Sequence, residues 1–226
     1  MGAVKPGPQP RKPTREIRLA AKTGFVSRDT WAQFFAHGSD RWLRNRWATI
    51  RDSHLFEALS KERAPEVMVL SAAGKVIAKR EGYDPVSPPS IQNLKHDDTL
   101  SKFVLNLESL GLVKAWKSEA ELERKVIGNG QGISLARLMK FPDAEIIPTG
   151  SATHQVLAVE VELTLKSRSR YNDTLNRYAG KKNLLGVLFI TGADCIREAL
   201  VETREKQRLA LYSLPIGVMR LSEWAS

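Results

Sequence analysis

The sequence predicts an α/β (α+β) protein of two domains, and three observations support this fold class. Residues 14–80 show three short helical patterns followed by two short strand-like segments. Residues 81–89, EGYDPVSPP, have the composition of a linker. Residues 90–226 alternate between helical and strand patterns around a nearly all-apolar segment at 184–190, which is typical of a central strand in a mixed sheet. Residues 1–13 are predicted to form a disordered basic tail.

The net charge of +10 is concentrated towards the N-terminus. Residues 1–90 carry 16 Lys and Arg against 9 Asp and Glu, a net of +7, whereas residues 91–226 carry 19 against 16, a net of +3. This asymmetry predicts a nucleic-acid contact surface in the first domain. The alternative is a basic chain that is kept soluble by its charge.

Two further features of the composition bear on location. No apolar run approaches the roughly 18–20 residues that span a bilayer, so we expect no membrane partner. The single cysteine, Cys195, excludes an intramolecular disulfide and favours a reducing cytoplasm. We expect the Cys195 side chain to be buried as a small apolar residue.

The first domain, residues 14–80, has the element order of a winged helix-turn-helix. Helices are predicted at about 14–21, 27–35 and 40–59, followed by a hairpin of 67–70 and 75–79. The expected core residues are Trp31, Phe34, Phe35, Leu43 and Trp47. The expected DNA-binding residues are Arg41, Arg44, Arg46 and Arg51 on the third helix and Lys75, Lys79 and Arg80 on the wing. The alternative is a helical hairpin whose arginines form a solvated face.

The second domain is predicted to have the order α-β-(β)-β-β-α-β-α-β. Helices are expected at about 90–110, 169–179 and 193–208, with a polar helix or loop around 118–125. Strands are expected at 112–116, 134–139, 144–147, 156–166, 184–190 and 210–214.

The strand at 156–166 and the Pro142-Asp143 pair before it contain the most informative residues. Because side chains alternate along a strand, Glu160, Glu162 and Lys166 share one face. Asp143 lies on the preceding strand and can approach the two glutamates across the hairpin. Three carboxylates and an amine make a plausible hard-cation site for phosphodiester chemistry. The alternative is that Glu160 and Glu162 form the solvated face of an amphipathic strand.

An Asp on one strand and Glu-x-Glu on the next, followed by a helix and a buried strand, resembles the nuclease core called PD-(D/E)xK. That pattern has a lysine where Glu162 stands, and Lys166 lies four residues further on. Over residues 14–215 the chain also resembles the bacterial replication-relaxation family, which includes plasmid mobilisation relaxases of the MobC type. The resemblance rests on the predicted winged helix and on the motifs His96-Asp97, Trp116-x-x-Glu119, Pro142-Asp143 and EVELTLKS followed by RYxxxLxxY.

This resemblance implies a restriction-endonuclease-like second domain that nicks DNA with Mg²⁺ or Mn²⁺. Asp143 and Glu160 would bind the metal, with Glu162 as a further ligand or as general base. Lys166 would place a positive charge beside the phosphate. His96 would act as a general base or a phosphate contact, with helix capping or packing as the alternative.

Other residues of the second domain leave alternatives open. Arg168 and Arg170 could flank a DNA strand or belong to a solvated face. Tyr171 and Tyr178 could join DNA covalently, or pack in the core at helical spacing.

Three functions are compatible with these patterns. The first is a DNA-nicking protein of a plasmid or mobile element, acting in mobilisation or conjugation on double-stranded DNA. The second is a catalytically inactive DNA-binding accessory protein whose second domain forms a homodimer or docks other mobilisation or replication proteins. The third is an inhibitor that binds protein instead of DNA.

Overall fold

A computed structural model of the chain describes residues 14–59, 66–127, 141–151, 155–179, 181, 183–206 and 214–224. The chain divides into two compact units, Met1–Pro88 and Pro89–Ser226, and contains both helices and sheets, as an α+β protein does. The tail at 1–13 and the strands expected at 134–139 and 210–213 lie outside the described residues. None of the helices among the described residues has the length and apolar character needed to cross a bilayer.

The first unit contains four helices and three short strands among its described residues. Their bounds are α1 Thr14–Thr23, β1 Val26–Ser27, α2 Arg28–Phe34, α3 Asp40–Arg51, β2 Phe56–Ala58, β3 Val67–Leu70 and α4 Ala72–Arg80. The strands form one antiparallel sheet in the order β1-β3-β2. Ser27 and Ser39 begin α2 and α3 as N-caps, each accepting a hydrogen bond from a backbone amide in the first turn.

The core of the first unit forms where α2 and α3 meet. Trp31 and Trp47 are both buried, with ring centroids 5.4 Å apart. The indole nitrogen of Trp31 donates a hydrogen bond of 3.1 Å to the buried carboxylate of Glu16 on α1. The other expected core residues, Phe34, Phe35 and Leu43, are half-buried. The two tryptophans therefore fix how α2 packs on α3.

The predicted hairpin of 67–70 and 75–79 is wrong in its second arm. Residues 72–80 form α4, and the partner of β3 is β2, at residues expected to end the third helix. Ser71 caps α4 by accepting a bond of 3.1 Å from the amide of Gly74, and three alanines favour a helix over an extended strand. Gly74 is required at its position, because a β-carbon there would collide with the carbonyl oxygen of Leu55.

The segment predicted as a free linker, 81–89, is partly docked on the first unit. Val86 is buried, and its amide donates a bond of 2.8 Å to the carbonyl of Ala21 on α1. Gly24 lies so close to the Ser87 carbonyl that a β-carbon would not fit there, and Gly24 also has a φ of 87°. The boundary between the units therefore falls after Pro88.

The second unit has five strands and five helices among its described residues. Their bounds are α5 Leu94–Ser109, β4 Val113–Ser118, α6 Glu119–Val126, β5 Ala144–Pro148, β6 Val156–Glu162, α7 Arg168–Ala179, β7 Leu184–Thr191, α8 Asp194–Lys206, β8 Ile216–Arg220 and α9 Leu221–Trp224. Ser118 and Glu121 form a capping box that begins α6.

These strands form one mixed sheet in the order β4-β5-β6-β7-β8. The pairs β4/β5 and β5/β6 are antiparallel, and the pairs β6/β7 and β7/β8 are parallel. A buried cluster joins the sheet to α7 and α8, and its members are Ala158, Tyr171, Leu175, Tyr178, Val187, Phe189, Ile196 and Leu200. Because Ala158 faces this cluster, Glu160 and Glu162 on the same side of β6 also face inwards.

Three expectations for the second unit are corrected. Strand β6 ends at Glu162, so Lys166 lies in the segment that leads to α7 and not on the strand. The last described strand is 216–220, and Leu214, the one described residue of the strand expected at 210–214, is not part of it. Cys195 is exposed, because the inward face of α8 is set by Ile196 and Leu200 and the residue before Ile196 points away from it.

Candidate functional sites

The expected DNA-binding arginines of α3 fall into two groups. Arg41 and Arg44 are exposed and form no salt bridge within the described part of the chain. Arg46 is half-buried, and Arg51 donates a hydrogen bond of 2.8 Å to the carboxylate of Asp52. Arg41 and Arg44 therefore keep their guanidinium groups available for a phosphate or a base edge.

The other expected DNA-binding residues lie elsewhere than predicted or are already paired. Lys75, Lys79 and Arg80 are exposed on α4 and not on a wing, because residues 72–80 are helical. Arg168 forms a salt bridge of 2.6 Å with Glu202 on α8, and Arg170 is exposed. The expected DNA-binding residues of the first unit therefore lie on two separate helices, α3 and α4.

The carboxylates of the second unit are brought together by the pairing of β5 with β6. Ala144 is opposite Val159, so Asp143 lies beside the end of β6 that carries Glu160. One oxygen of Asp143 accepts a hydrogen bond of 2.6 Å from the amide of Val161. Glu160 and Glu162 are 6% and 2% exposed, so the expectation that they form a solvated face is wrong.

His96 links α5 to this carboxylate cluster. Its Nε2 lies 3.1 Å from an Asp143 oxygen and 3.1 Å from the carbonyl of Val161, and its Nδ1 lies 2.8 Å from an Asp97 oxygen. All three partners are acceptors, so both ring nitrogens carry hydrogen. Burial lowers the pKa of His96, but the hydrogen bonds to Asp143 and Asp97 outweigh it and raise the pKa from 6.5 to about 10. His96 is therefore an imidazolium that donates to both carboxylates. Of the roles expected from the sequence, this protonated form suits a phosphate contact or packing, and it does not suit a general base.

Glu160 meets a tyrosine of α7. The hydroxyl of Tyr178 donates a short hydrogen bond to a Glu160 oxygen. Burial, together with the charge of Glu160, raises the pKa of Tyr178, so this hydroxyl keeps its proton. Tyr171 and Tyr178 are both buried, which confirms core packing and leaves neither hydroxyl exposed for covalent attachment to DNA.

Glu162 meets a lysine from the segment after β6. The ammonium of Lys166 lies 2.6 Å from a Glu162 oxygen, and the backbone amide of Lys166 donates a bond of 3.1 Å to the hydroxyl of Tyr171. Lys166 is 28% exposed whereas Glu162 is 2% exposed. Lys166 therefore compensates a buried negative charge at the edge of the unit.

The residues expected to bind a metal each meet a hydrogen-bond or ion-pair donor inside the second unit. Among the described residues, no group of three or more His, Cys, Asp or Glu side chains is placed to hold a metal ion. Asp143 accepts hydrogen bonds from the His96 imidazolium and from the amide of Val161. Glu160 accepts one from the phenol of Tyr178, and Glu162 pairs with the ammonium of Lys166. In each carboxylate these donors contact one oxygen.

Two partners in this cluster were not identified as such from the sequence. Asp97 belongs to the His96-Asp97 motif but was not predicted to be a partner of His96. A carboxylate next to a histidine in the first turn of a helix could have indicated this contact. The bond between Tyr178 and Glu160 joins residues 18 positions apart. It depends on how α7 packs over β6, which no local pattern specifies.

Comparison of the chain with protein-family models, with curated proteins and with solved structures gave no significant match.

Proposed function

We propose that the chain is a DNA-binding protein whose first unit contacts duplex DNA through α3. The observation that carries the proposal is the pair of exposed arginines, Arg41 and Arg44, which have no carboxylate partner among the described residues. The net charge of +7 on residues 1–90 supports it. The helix order and the β1-β3-β2 sheet support a winged-helix interpretation, with β2 and β3 as the wing.

Fluorescence anisotropy of a labelled duplex, measured over a series of salt concentrations, tests this function. We expect log K to fall linearly with log salt, by about 0.9 for each phosphate neutralised. The double variant Arg41→Ala/Arg44→Ala should weaken binding and flatten the slope. Arg197→Ala, which removes an arginine paired with Glu223 in the second unit, is the matched control and should change neither. Equal affinity of the double variant and the wild type would refute α3 as the contact surface.

For the second unit we propose an accessory role in which the carboxylate cluster serves stability. The internal partners of Asp143, Glu160 and Glu162 support this role over cation binding. Such a protein, of a plasmid or another mobile element, would use the second unit for homodimerisation or for docking mobilisation or replication proteins in the cytoplasm.

A second candidate is metal-dependent nicking of DNA. It is favoured by the order of Asp143 before β5 and of Glu160 and Glu162 on β6, within the arrangement α5-β4-α6-β5-β6-α7-β7. Conversion of supercoiled plasmid to the open-circular form in Mg²⁺ or Mn²⁺ distinguishes the two candidates. Cleavage by the wild type that is lost in Asp143→Ala/Glu160→Ala would establish nicking. Equal results for both proteins would leave the accessory role.

A further inference from the structure

The outward face of α3 carries a polar residue that the charge pattern does not single out. Trp47 and Ile50 are buried and define the inner face of the helix. At about 100° of rotation per residue, Arg41 and Asn45 lie on the opposite face, one turn apart, and both are exposed. Asn45 therefore lies on the same exposed surface as Arg41.

The neighbours of Asn45 are already engaged or face elsewhere. The hydroxyl of Thr49 donates a bond of 3.0 Å to the carbonyl of Asn45, so it is used within the helix. Trp42 is 45% exposed but packs on Gly38, since a β-carbon there would lie 2.8 Å from its ring. The side-chain amide of Asn45 makes no hydrogen bond to any described residue. Asn45 and Arg41 thus have donors and acceptors free on one surface.

These two side chains match two different base edges. The amide of asparagine offers one donor and one acceptor, which pair with N7 and N6 of adenine. The guanidinium fork of arginine offers two parallel donors, which pair with O6 and N7 of guanine. Both edges face the major groove, which is about 12 Å wide and admits a helix such as α3.

We propose that Asn45 reads an adenine and Arg41 a guanine in the major groove of duplex DNA, so that α3 determines base specificity. This inference rests on the proposed DNA-binding function. One helical turn advances about 5.4 Å, and base pairs are spaced about 3.4 Å apart. The adenine and the guanine therefore lie one or two base pairs from each other. Arg44, three residues from Arg41, contacts the phosphate backbone beside them.

Selection of bound sequences from a random duplex library with the full chain tests the inference. The wild type should enrich a site with an adenine and a guanine at that spacing. At the adenine position it should prefer adenine by about 5- to 150-fold. Asn45→Ala should lose preference at that position alone and keep its affinity for random duplex. Asn45→Asp, which can only accept, should shift the preference towards cytosine.

The controls separate this inference from the proposed function. Arg41→Ala should lose preference at the guanine position, whereas Arg44→Ala should weaken all duplexes alike and lower the salt slope by about 1. A wild type that binds no duplex refutes the proposed function. A wild type that binds without base preference overturns the inference while DNA binding stands. Enrichment of the wild-type site by the Asn45→Ala variant also overturns the inference while DNA binding stands.

Discussion

On α3 of the first unit, Arg41 and Arg44 extend into solvent without a carboxylate partner among the described residues, whereas the acidic side chains around β6 of the second unit meet internal donors. The difference follows from burial. Glu160 and Glu162 have lost contact with water, so each needs a compensating hydrogen bond or cation. Exposed arginines keep their hydration and need none. The first arrangement favours binding of an anionic partner, and the second favours stability.

The largest effect is expected at the buried pair of the second unit. Lys166→Met should leave the Glu162 carboxylate buried without its ammonium. We expect the free energy of unfolding to fall by about 3 kcal/mol, the lower end for a broken buried pair, because Lys166 is 28% exposed. Chemical denaturation measures the loss.

A second substitution shows whether charge causes that loss. Lys166→Met/Glu162→Gln removes both charges and should recover much of the stability. Lys114→Met, at an exposed position of β4, is the matched control for lost lysine and should be nearly neutral. A loss equal to that of Lys114→Met would show that Glu162 does not depend on Lys166.

The next effect concerns the two buried tyrosines of α7. Tyr178→Phe removes a donor to a carboxylate and should cost about 2 kcal/mol of unfolding free energy. Tyr171→Phe removes an acceptor for a neutral backbone amide and should cost about 1 kcal/mol. Thermal or chemical unfolding of the pair gives the difference. If Tyr171→Phe costs more unfolding free energy than Tyr178→Phe, the assignment of a charged hydrogen-bond partner to Tyr178 and of a neutral partner to Tyr171 is contradicted.

A pH-dependent effect is expected at His96. Its pKa is raised in the folded chain from 6.5 to about 10, so the folded state binds the proton more tightly than the unfolded state. The resulting stability is fully present below pH 6.5 and is lost as the pH rises through about 10. The difference in unfolding free energy between wild type and His96→Gln should therefore shrink over this window. A difference that is constant from pH 6 to pH 10 would show that the imidazolium is not the stabilising form.

The smallest effect on stability is expected on α3. Arg44→Ala removes an exposed side chain without a salt bridge among the described residues, so the free energy of unfolding should change by less than about 0.5 kcal/mol. The same variant should reduce DNA affinity. If Arg44→Ala lowers the free energy of unfolding by more than about 1 kcal/mol, the charged side chain of Arg44 stabilises the first unit as Lys166 stabilises the second, and the contrast between the units does not hold.

Elements with a strong apolar period were predictable from the sequence. The apolar run of β7 and the amphipathic pattern of α7 predict these two elements, and the structure confirms both. Strand β6 forms where its alternation predicts a strand, but it ends at Glu162 and both of its faces are buried from Ala158 onwards. Strand β8 was not predicted at 216–220, where Gly217 as the second residue and a weak alternation give little strand signal. The predicted hairpin was wrong because Ser71, which was assigned to its turn, is the N-cap of a helix that includes residues 75–79.

The candidate site was predictable only as a set of residues. The sequence predicts Asp143, Glu160 and Glu162 on adjacent strands. The structure places Asp143 directly before β5 and the two glutamates on β6, its neighbour. Their partners depend on packing between distant elements: His96 comes from α5, and Tyr178 comes from α7. Alternation along a strand predicts which face of the sheet a carboxylate side chain is on, but it does not predict which residue of another element forms a hydrogen bond with it.

The docking of Val86 on α1 has a practical consequence for dissecting the chain. Its backbone amide and its side chain complete a surface that α1 leaves open at Ala21. A fragment cut at Arg80, where the last helix of the first unit ends, would expose that surface to water and invite aggregation. Limited proteolysis should accordingly spare the bond before Val86, and transplantation of the first unit onto another protein should keep the chain through Pro88.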